Sequence, residues 1–257
     1  MNTRQCLALV SGLCLLSTSC KQEEKGASEN AVTSTNLTPT GMDIPVLKIE
    51  PGDYWSYRVR VEIPAGVTGE QAASVDTTHE RVRTFLGKMP LVEGSPEADC
   101  FEVVAPNTPP TREFVNIHED RVELRGELMM KNAESRPIVF PVPVVFFKAG
   151  LQAGDTLPMP TVGAPGSTAV SQRSCAIIGR EDCVVPAGTF PSVRMLMNGL
   201  DGKIETRRTL WFAPGTGIVK EERIRYAEGK VIVKETHELA SKGHKALSER
   251  PKAPGPE

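Results

Sequence analysis

The chain reads as an all-β protein, a curved antiparallel sheet arranged as a half-barrel-like meander. Three observations predict this. Apolar side chains recur at every second position over long stretches, the mark of strands with one buried and one wet face. Glycine and proline are plentiful, 22 and 21 residues, and punctuate those stretches as turns do. Few segments carry the 3.6-residue period of a helix.

The N-terminus differs from the rest. Arg4 precedes a nearly unbroken apolar stretch from Leu7 to Leu16, followed by Ser17, Thr18, Ser19 and Cys20. An apolar run of about ten is too short to span a membrane, which takes ~20 residues, but fits a secretory signal. Residues 1–19 are therefore expected to be a signal peptide. Residues 20–42 are polar and rich in Ser, Thr, Asn and Gly, which predicts a flexible tether. A β-rich domain is expected over 43–239, and a disordered tail over 240–257.

Leu16-Ser17-Thr18-Ser19-Cys20 resembles the lipobox of bacterial lipoprotein precursors. The resemblance implies that Cys20 becomes the acylated first residue of the mature protein, held in a membrane by its acyl chains (palmitate among them). Ser17 stands where that family usually has an aliphatic residue, and the alternative is plain signal cleavage leaving a secreted protein. Lys21 after the cysteine favours, by analogy with lipoprotein sorting, the outer membrane.

The strands follow in order. In 54–63, Trp55, Tyr57, Val59, Val61 and Ile63 share one face, and Ser56, Arg58, Arg60 and Glu62 the other. Further strands are expected near 76–86, 99–105, 112–118, 122–128, 168–178, 182–186 and 191–198. The clearest alternation lies in 203–212, 217–226 and 230–239. Pro214-Gly215-Thr216-Gly217 and Glu228-Gly229 separate these three as turns, so they read as an antiparallel meander. Ile138–Phe147 is apolar throughout but holds Pro141 and Pro143, which excludes a central strand. It is expected either to cover one end of the core or to form an exposed apolar lip.

The halves echo each other. Pro51-Gly52-Asp53 matches Ala153-Gly154-Asp155. Phe85-Leu86-Gly87-Lys88, with Cys100-Phe101-Glu102-Val103, matches Ile177-Ile178-Gly179-Arg180 with Thr189-Phe190. Arg112-Glu113-Phe114 with Val122-Glu123-Leu124 matches Thr209-Leu210-Trp211 with Ile218-Val219-Lys220. Preserved order at offsets near a hundred residues points to two similar β-meanders.

A second resemblance rests on Gly52-Asp53-Tyr54-Trp55-Ser56-Tyr57, Val184-Val185-Pro186-Ala187-Gly188-Thr189-Phe190 and Trp211-Phe212-Ala213-Pro214-Gly215-Thr216-Gly217-Ile218-Val219-Lys220. In that order the three are similar to motifs of uncharacterised bacterial envelope proteins of the DUF3108 kind, across most of residues 50–226. The resemblance implies a curved, open antiparallel sheet, loosely like the half-barrel of periplasmic lipoprotein carriers, and says nothing about chemistry.

Chemistry-bearing motifs are few. The chain has 30 basic and 32 acidic side chains. Without residues 1–19 it loses only Arg4, leaving a formal net charge of −3. Nucleic acid, which needs concentrated Lys and Arg, is excluded as a partner. His79, His118, His237 and His244 lack metal-ligand spacing, so no metal and no cofactor is expected. The chain contains no Gly-x-Ser-x-Gly elbow and no Cys-x-x-Cys, and the expectation is a protein without catalytic activity. Cys175 and Cys183 flank a turn-like Gly179-Arg180-Glu181-Asp182. They either form a disulfide across a hairpin or, with Cys100, are buried thiols. Lys203, Glu205, Arg207, Glu221, Arg223 and Arg225 read as mixed charges on one solvated sheet face, or as a docking surface for an envelope protein. The leading functional expectation is a binding module for lipid, peptide or polysaccharide. Its cavity would be lined by Trp55, Tyr57, Phe85, Phe101, Phe114, Phe190 and Phe212. The competing one is an assembly protein of the envelope.

Overall fold

The computed structural model describes residues 47–67, 73–131, 135–159 and 172–247. The expected signal peptide, lipobox and tether lie outside the described residues, as do residues 248–257. Among the described residues twelve strands are present: β1 (Asp53–Ile63), β2 (Val75–Pro90), β3 (Glu97–Val104), β4 (Thr111–Ile117), β5 (Arg121–Met129), β6 (Ile138–Lys148), β7 (Thr156–Leu157), β8 (Gln172–Val185), β9 (Gly188–Asp201), β10 (Ile204–Ala213), β11 (Gly217–Ala227) and β12 (Lys230–His244). The described residues contain no α-helix.

All twelve form one antiparallel sheet in the order β6-β5-β4-β3-β2-β1-β12-β11-β10-β9-β8-β7. Each strand pairs with its neighbour in sequence, save β6 with β7, and the first strand pairs with the last. Asp53 lies opposite His244 and Glu62 opposite Lys234. The sheet is open, with β6 and β7 at its edges. It curls on itself, because Phe147 of edge strand β6 stacks on Phe212 of distant β10 at a centroid separation of 4.0 Å. One apolar cluster fills the concave side, drawing on both halves.

The echo between halves is structural. Gly52 and Gly154 both take positive φ, 103° and 92°, a region glycine enters without steric cost. The Gly52 amide donates to the Phe85 carbonyl at 2.8 Å, and the Gly154 amide to the Ile177 carbonyl at 2.9 Å. In each turn an aspartate caps the backbone three residues earlier, Asp53 to Glu50 and Asp155 to Gln152, both at 2.8 Å. A register shift follows Phe85 in β2 and Ile177 in β8. Another lies between Phe114 and Val115 in β4, and between Trp211 and Phe212 in β10. Strands β1–β6 thus correspond to β7–β12. Two of the sequence matches need shifting. Phe101 pairs with Phe85 as Met195 pairs with Ile177, so its counterpart is Met195, not Phe190. Leu124 corresponds to Ile218, their partners Val115 and Phe212 being equivalent.

Three local expectations are corrected. The described part of the segment 168–178, from residue 172, and the segment 182–185 belong to one strand, β8, with no turn at 179–182. Cys175 and Cys183 are therefore eight steps apart along an extended chain, roughly 25 Å, far beyond the ~7 Å Cα limit of a disulfide. Both are buried free thiols, like Cys100. The tail is not irregular from residue 240, since β12 continues to His244 and the Lys245 amide donates to the Gly52 carbonyl at 3.0 Å. Ile138–Phe147 is an edge strand rather than a connecting segment. The prolines allow that position because the missing N–H costs nothing on an unpaired side.

Candidate functional site

The aromatic side chains expected to line a cavity form the core instead. Trp55, Tyr57, Phe85, Phe101 and Phe212 belong to the main cluster, and Phe190 packs against it half-buried. Phe101 meets Trp55 at 5.9 Å and Phe85 at 5.1 Å between centroids. Trp55 Nε1 donates to the Thr216 carbonyl at 2.8 Å and Tyr57 Oη to the Ile218 carbonyl at 2.9 Å. Contacts of this kind fix these rings in place within the core. Phe114 lies on the opposite face with Ala98 and Cys100, against Leu91. It faces away from the other six because successive strand residues alternate in direction.

What interrupts the apolar interior is charge. In β2, Arg81 and Arg83 share the inward parity of Phe85. In β4, Glu113 shares that of Val115. In β10 and β11, Arg208, Glu221 and Arg223 share that of Leu210 and Val219, and in β12, Glu235 and His237 share that of Leu239. Register places these side by side: Tyr57 opposite Arg81, Val59 opposite His237, His237 opposite Glu221, and Arg223 opposite both Arg208 and Glu235. Tyr57, Arg81, Arg83, Glu113, Arg208, Ile218, Glu221 and His237 surround a recess of about 40 Å³.

Each carboxylate there is held by two arginines. Arg208 grips Glu221 with both prongs, Nε at 2.7 Å and Nη2 at 3.0 Å, and Arg223 adds contacts at 3.1 and 2.8 Å. Glu113 takes Arg83 Nε at 2.9 Å and Arg81 Nη2 at 3.4 Å. The Arg83 guanidinium also lies 3.5 Å above the Phe101 ring centroid, a cation–π contact. Burial works against ionisation of Glu221, but Arg208 and Arg223 outweigh it and hold the carboxyl well below the usual range. Glu113 is lowered likewise, its burial outweighed by Arg83 and Arg81. Burial pushes the Tyr57 phenol up to about 12. These carboxylates therefore remain ionised acceptors near neutral pH and hold no proton to give.

Arg81 is the loosest member. Its remaining contact, Nη1 to His237 Nδ1, is also 3.4 Å long, and its side chain is 26 % exposed. His237 Nε2 in turn meets Glu235 at 3.5 Å.

The duplicated architecture supplies an internal control. Arg83 lies opposite Trp55 as Cys175 lies opposite Leu157, and Glu113 lies opposite Phe101 as Leu210 lies opposite Met195. At equivalent places the second half uses a thiol and a leucine. The fold therefore does not require charge at these positions.

The mixed charges of the C-terminal meander do not share a face. Glu205 and Arg207 are exposed, whereas Glu221, Arg223 and Arg225 point to the concave side with Arg208. Period-two parity is the signal that sequence reading passed over: a polar residue at an inward position marks the recess.

The outer face carries a larger, open depression of about 480 Å³ lined by Arg58, Arg60, Glu62, Thr78, Lys234, Thr236 and Glu238. Its charges close on one another. Arg58 meets Glu238 at 2.7 Å, Arg60 meets Asp76 at 2.6 Å and Lys234 meets Glu62 at 3.5 Å. Among the described residues, no group of three or more His, Cys, Asp or Glu is placed to hold a metal ion.

No protein-family model matches the chain, and no curated protein matches it. Among solved structures, the chain is similar to a candidate exported protein of Bacteroides fragilis with a YMCC-like fold. The identity is 14% and the TM-score 0.44, covering 78% of this chain and 99% of that one. It is also similar to a candidate lipoprotein of Parabacteroides distasonis, at 12% identity and a TM-score of 0.43, with the same coverage of 78% and 99%.

Proposed function

We propose that the protein is a non-catalytic, extracytoplasmic binding module, tethered through a lipidated Cys20 to a bacterial membrane, with the charged recess as its ligand site. The observation that carries this reading is the contrast between halves. Arg83 and Glu113 occupy positions that the equivalent strands fill with Cys175 and Leu210. Charges are costly to enclose, so their retention on one side only is accounted for by a use other than folding. The ligand reaches the recess from solvent with a polar group, because the apolar interior around it is occupied. Lys21 beside the acylated cysteine favours the outer membrane.

The test is thermal unfolding of the full-length lipoprotein in detergent against a panel of envelope metabolites, beside an Arg81→Met variant. At least one compound stabilises the wild type and not the variant. If no compound separates the two, the recess is not a ligand site. Lipidation is checked by intact mass of the membrane fraction, which should lose the acyl increments in Cys20→Ala.

A second reading, an envelope assembly protein, draws on one observation. Ile138, Val139 and Val142 on edge strand β6 are 45, 48 and 59 % exposed, a patch suited to protein contact. Crosslinking from a β6 position in intact cells should then trap one stoichiometric partner, and a uniform background would remove this reading.

A further inference from the structure

We infer that the recess takes a single carboxylate group from its ligand, received by the guanidinium of Arg81. This rests on the reading of the recess as the ligand site. Three features on its walls choose the chemistry. The lining residues carry three guanidiniums, Arg81, Arg83 and Arg208, against two carboxylates, Glu113 and Glu221. One negative charge therefore neutralises the lining, and a phosphate dianion overshoots it. Both carboxylates already hold short arginine contacts, 2.9 Å for Glu113 and 2.7 Å for Glu221. Arg81 holds only two contacts of 3.4 Å, so its planar fork has donors to offer, and a carboxylate matches that fork with two parallel hydrogen bonds.

Size agrees with charge. A water needs roughly 10–15 Å³ of such space, so about 40 Å³ admits about three water-sized atoms, the content of a carboxylate. A tetrahedral phosphate with its ester oxygens is larger. The Tyr57 ring and Ile218 form apolar walls, which strengthen a charge-assisted hydrogen bond made against them. Tyr57 Oη already donates to the Ile218 carbonyl, and of the three lining arginines Arg81 is the one whose contacts are all long, at 3.4 Å.

The experiment is a titration of the full-length lipoprotein in detergent, at constant ionic strength, followed by tryptophan fluorescence and calorimetry. The probes are acetate, N-acetylglycine, glucuronate, inorganic phosphate and the neutral isostere acetamide. A saturable response to the carboxylates is expected, with phosphate at least threefold weaker and acetamide without effect. Arg81→Met should weaken carboxylate binding at least tenfold, and Arg81→Lys, which keeps the charge without the fork, should fall between. Circular dichroism verifies that both variants fold, Glu113 keeping Arg83 in each. Tighter binding of N-acetylglycine assigns a peptide terminus, and tighter binding of glucuronate an acidic sugar. Equal binding by wild type and Arg81→Met, or preference for phosphate, overturns the inference. If the carboxylates fail while a different compound still distinguishes wild type from Arg81→Met, the carboxylate assignment falls and the binding module stands. If nothing distinguishes them, both fall.

Discussion

A carboxylate enclosed as deeply as Glu221, 3 % exposed, is tolerable because two guanidiniums meet it. Removing the charge while leaving Arg208 and Arg223 in place strands two half-buried cations. Breaking a fully buried pair from one side typically costs about 3–5 kcal/mol; here both cations are partly exposed and Arg223 keeps Glu235, so Glu221→Gln should lose less, about 1–3 kcal/mol, in chemical denaturation. The pH dependence has a definite sign. The folded-state pKa of Glu221 is lowered by Arg208 and Arg223 against the cost of burial. Its contribution is complete above the unfolded carboxyl pKa of about 4.3. As pH falls below that value the unfolded state takes up a proton first, and stability declines toward the folded-state pKa. Glu113 and Glu235 are lowered too and act in the same direction. Calorimetry from about pH 6 down to about pH 3, which brackets the titration of unfolded carboxyls, should show a smaller drop in Tm for Glu221→Gln than for wild type. Parallel curves would mean that Glu221 does not carry this linkage.

Edge strand β6 shows how an element is held at the border of an open sheet. It pairs only with β5, and its register shifts near Glu123 and again across Leu124 to Gly126. Gly126 is the tight point. A Cβ there would sit 2.5 Å from the Ile138 carbonyl oxygen and 2.8 Å from Leu91 Cδ2. Leucine can turn aside, but the strand backbone must move as a whole. Gly126→Ala should destabilise by about 1–3 kcal/mol and loosen β6 selectively, read as faster amide exchange over Ile138–Lys148 than over β1 or β12. Uniform exchange would place the strain elsewhere. Pro141 and Pro143 have no backbone N–H to offer a further strand, which protects the edge from sheet-to-sheet pairing.

For the whole molecule, the seam is the defining feature. The β1–β12 pairing joins the halves, and its counterpart between β6 and β7 does not form. β1 has 11 residues and β7 has two, because Pro158 ends β7 where β1 continues through Ser56. The halves also predict how the interior responds to redesign. Writing the second half's residues into the first, Arg83→Cys with Glu113→Leu, should leave stability unchanged or raise it, since well-packed apolar replacement of a paired charge is often neutral or better. Glu113→Leu alone should be the least stable of the set, with Arg81 and Arg83 left facing each other. A double-mutant cycle measures this coupling, and additive effects would refute it.

By itself the sequence determined the all-β class, the C-terminal meander and the repeated turn of Gly52-Asp53 and Gly154-Asp155. Alternation and turn chemistry are local, and each is complete within about ten residues. It also barred Ile138–Phe147 from the centre of a sheet, because proline's missing N–H is a local property, while its place as an edge strand came from the tertiary structure. Only the tertiary structure decided that Cys175 and Cys183 lie along one strand, that Trp55, Phe85, Phe101 and Phe212 close into a core, and that Glu221 faces inward. The physical reason is register. Whether a side chain meets solvent or a guanidinium from a distant strand depends on bulges and on which strands the curl brings together. Neither is written in any single stretch of chain.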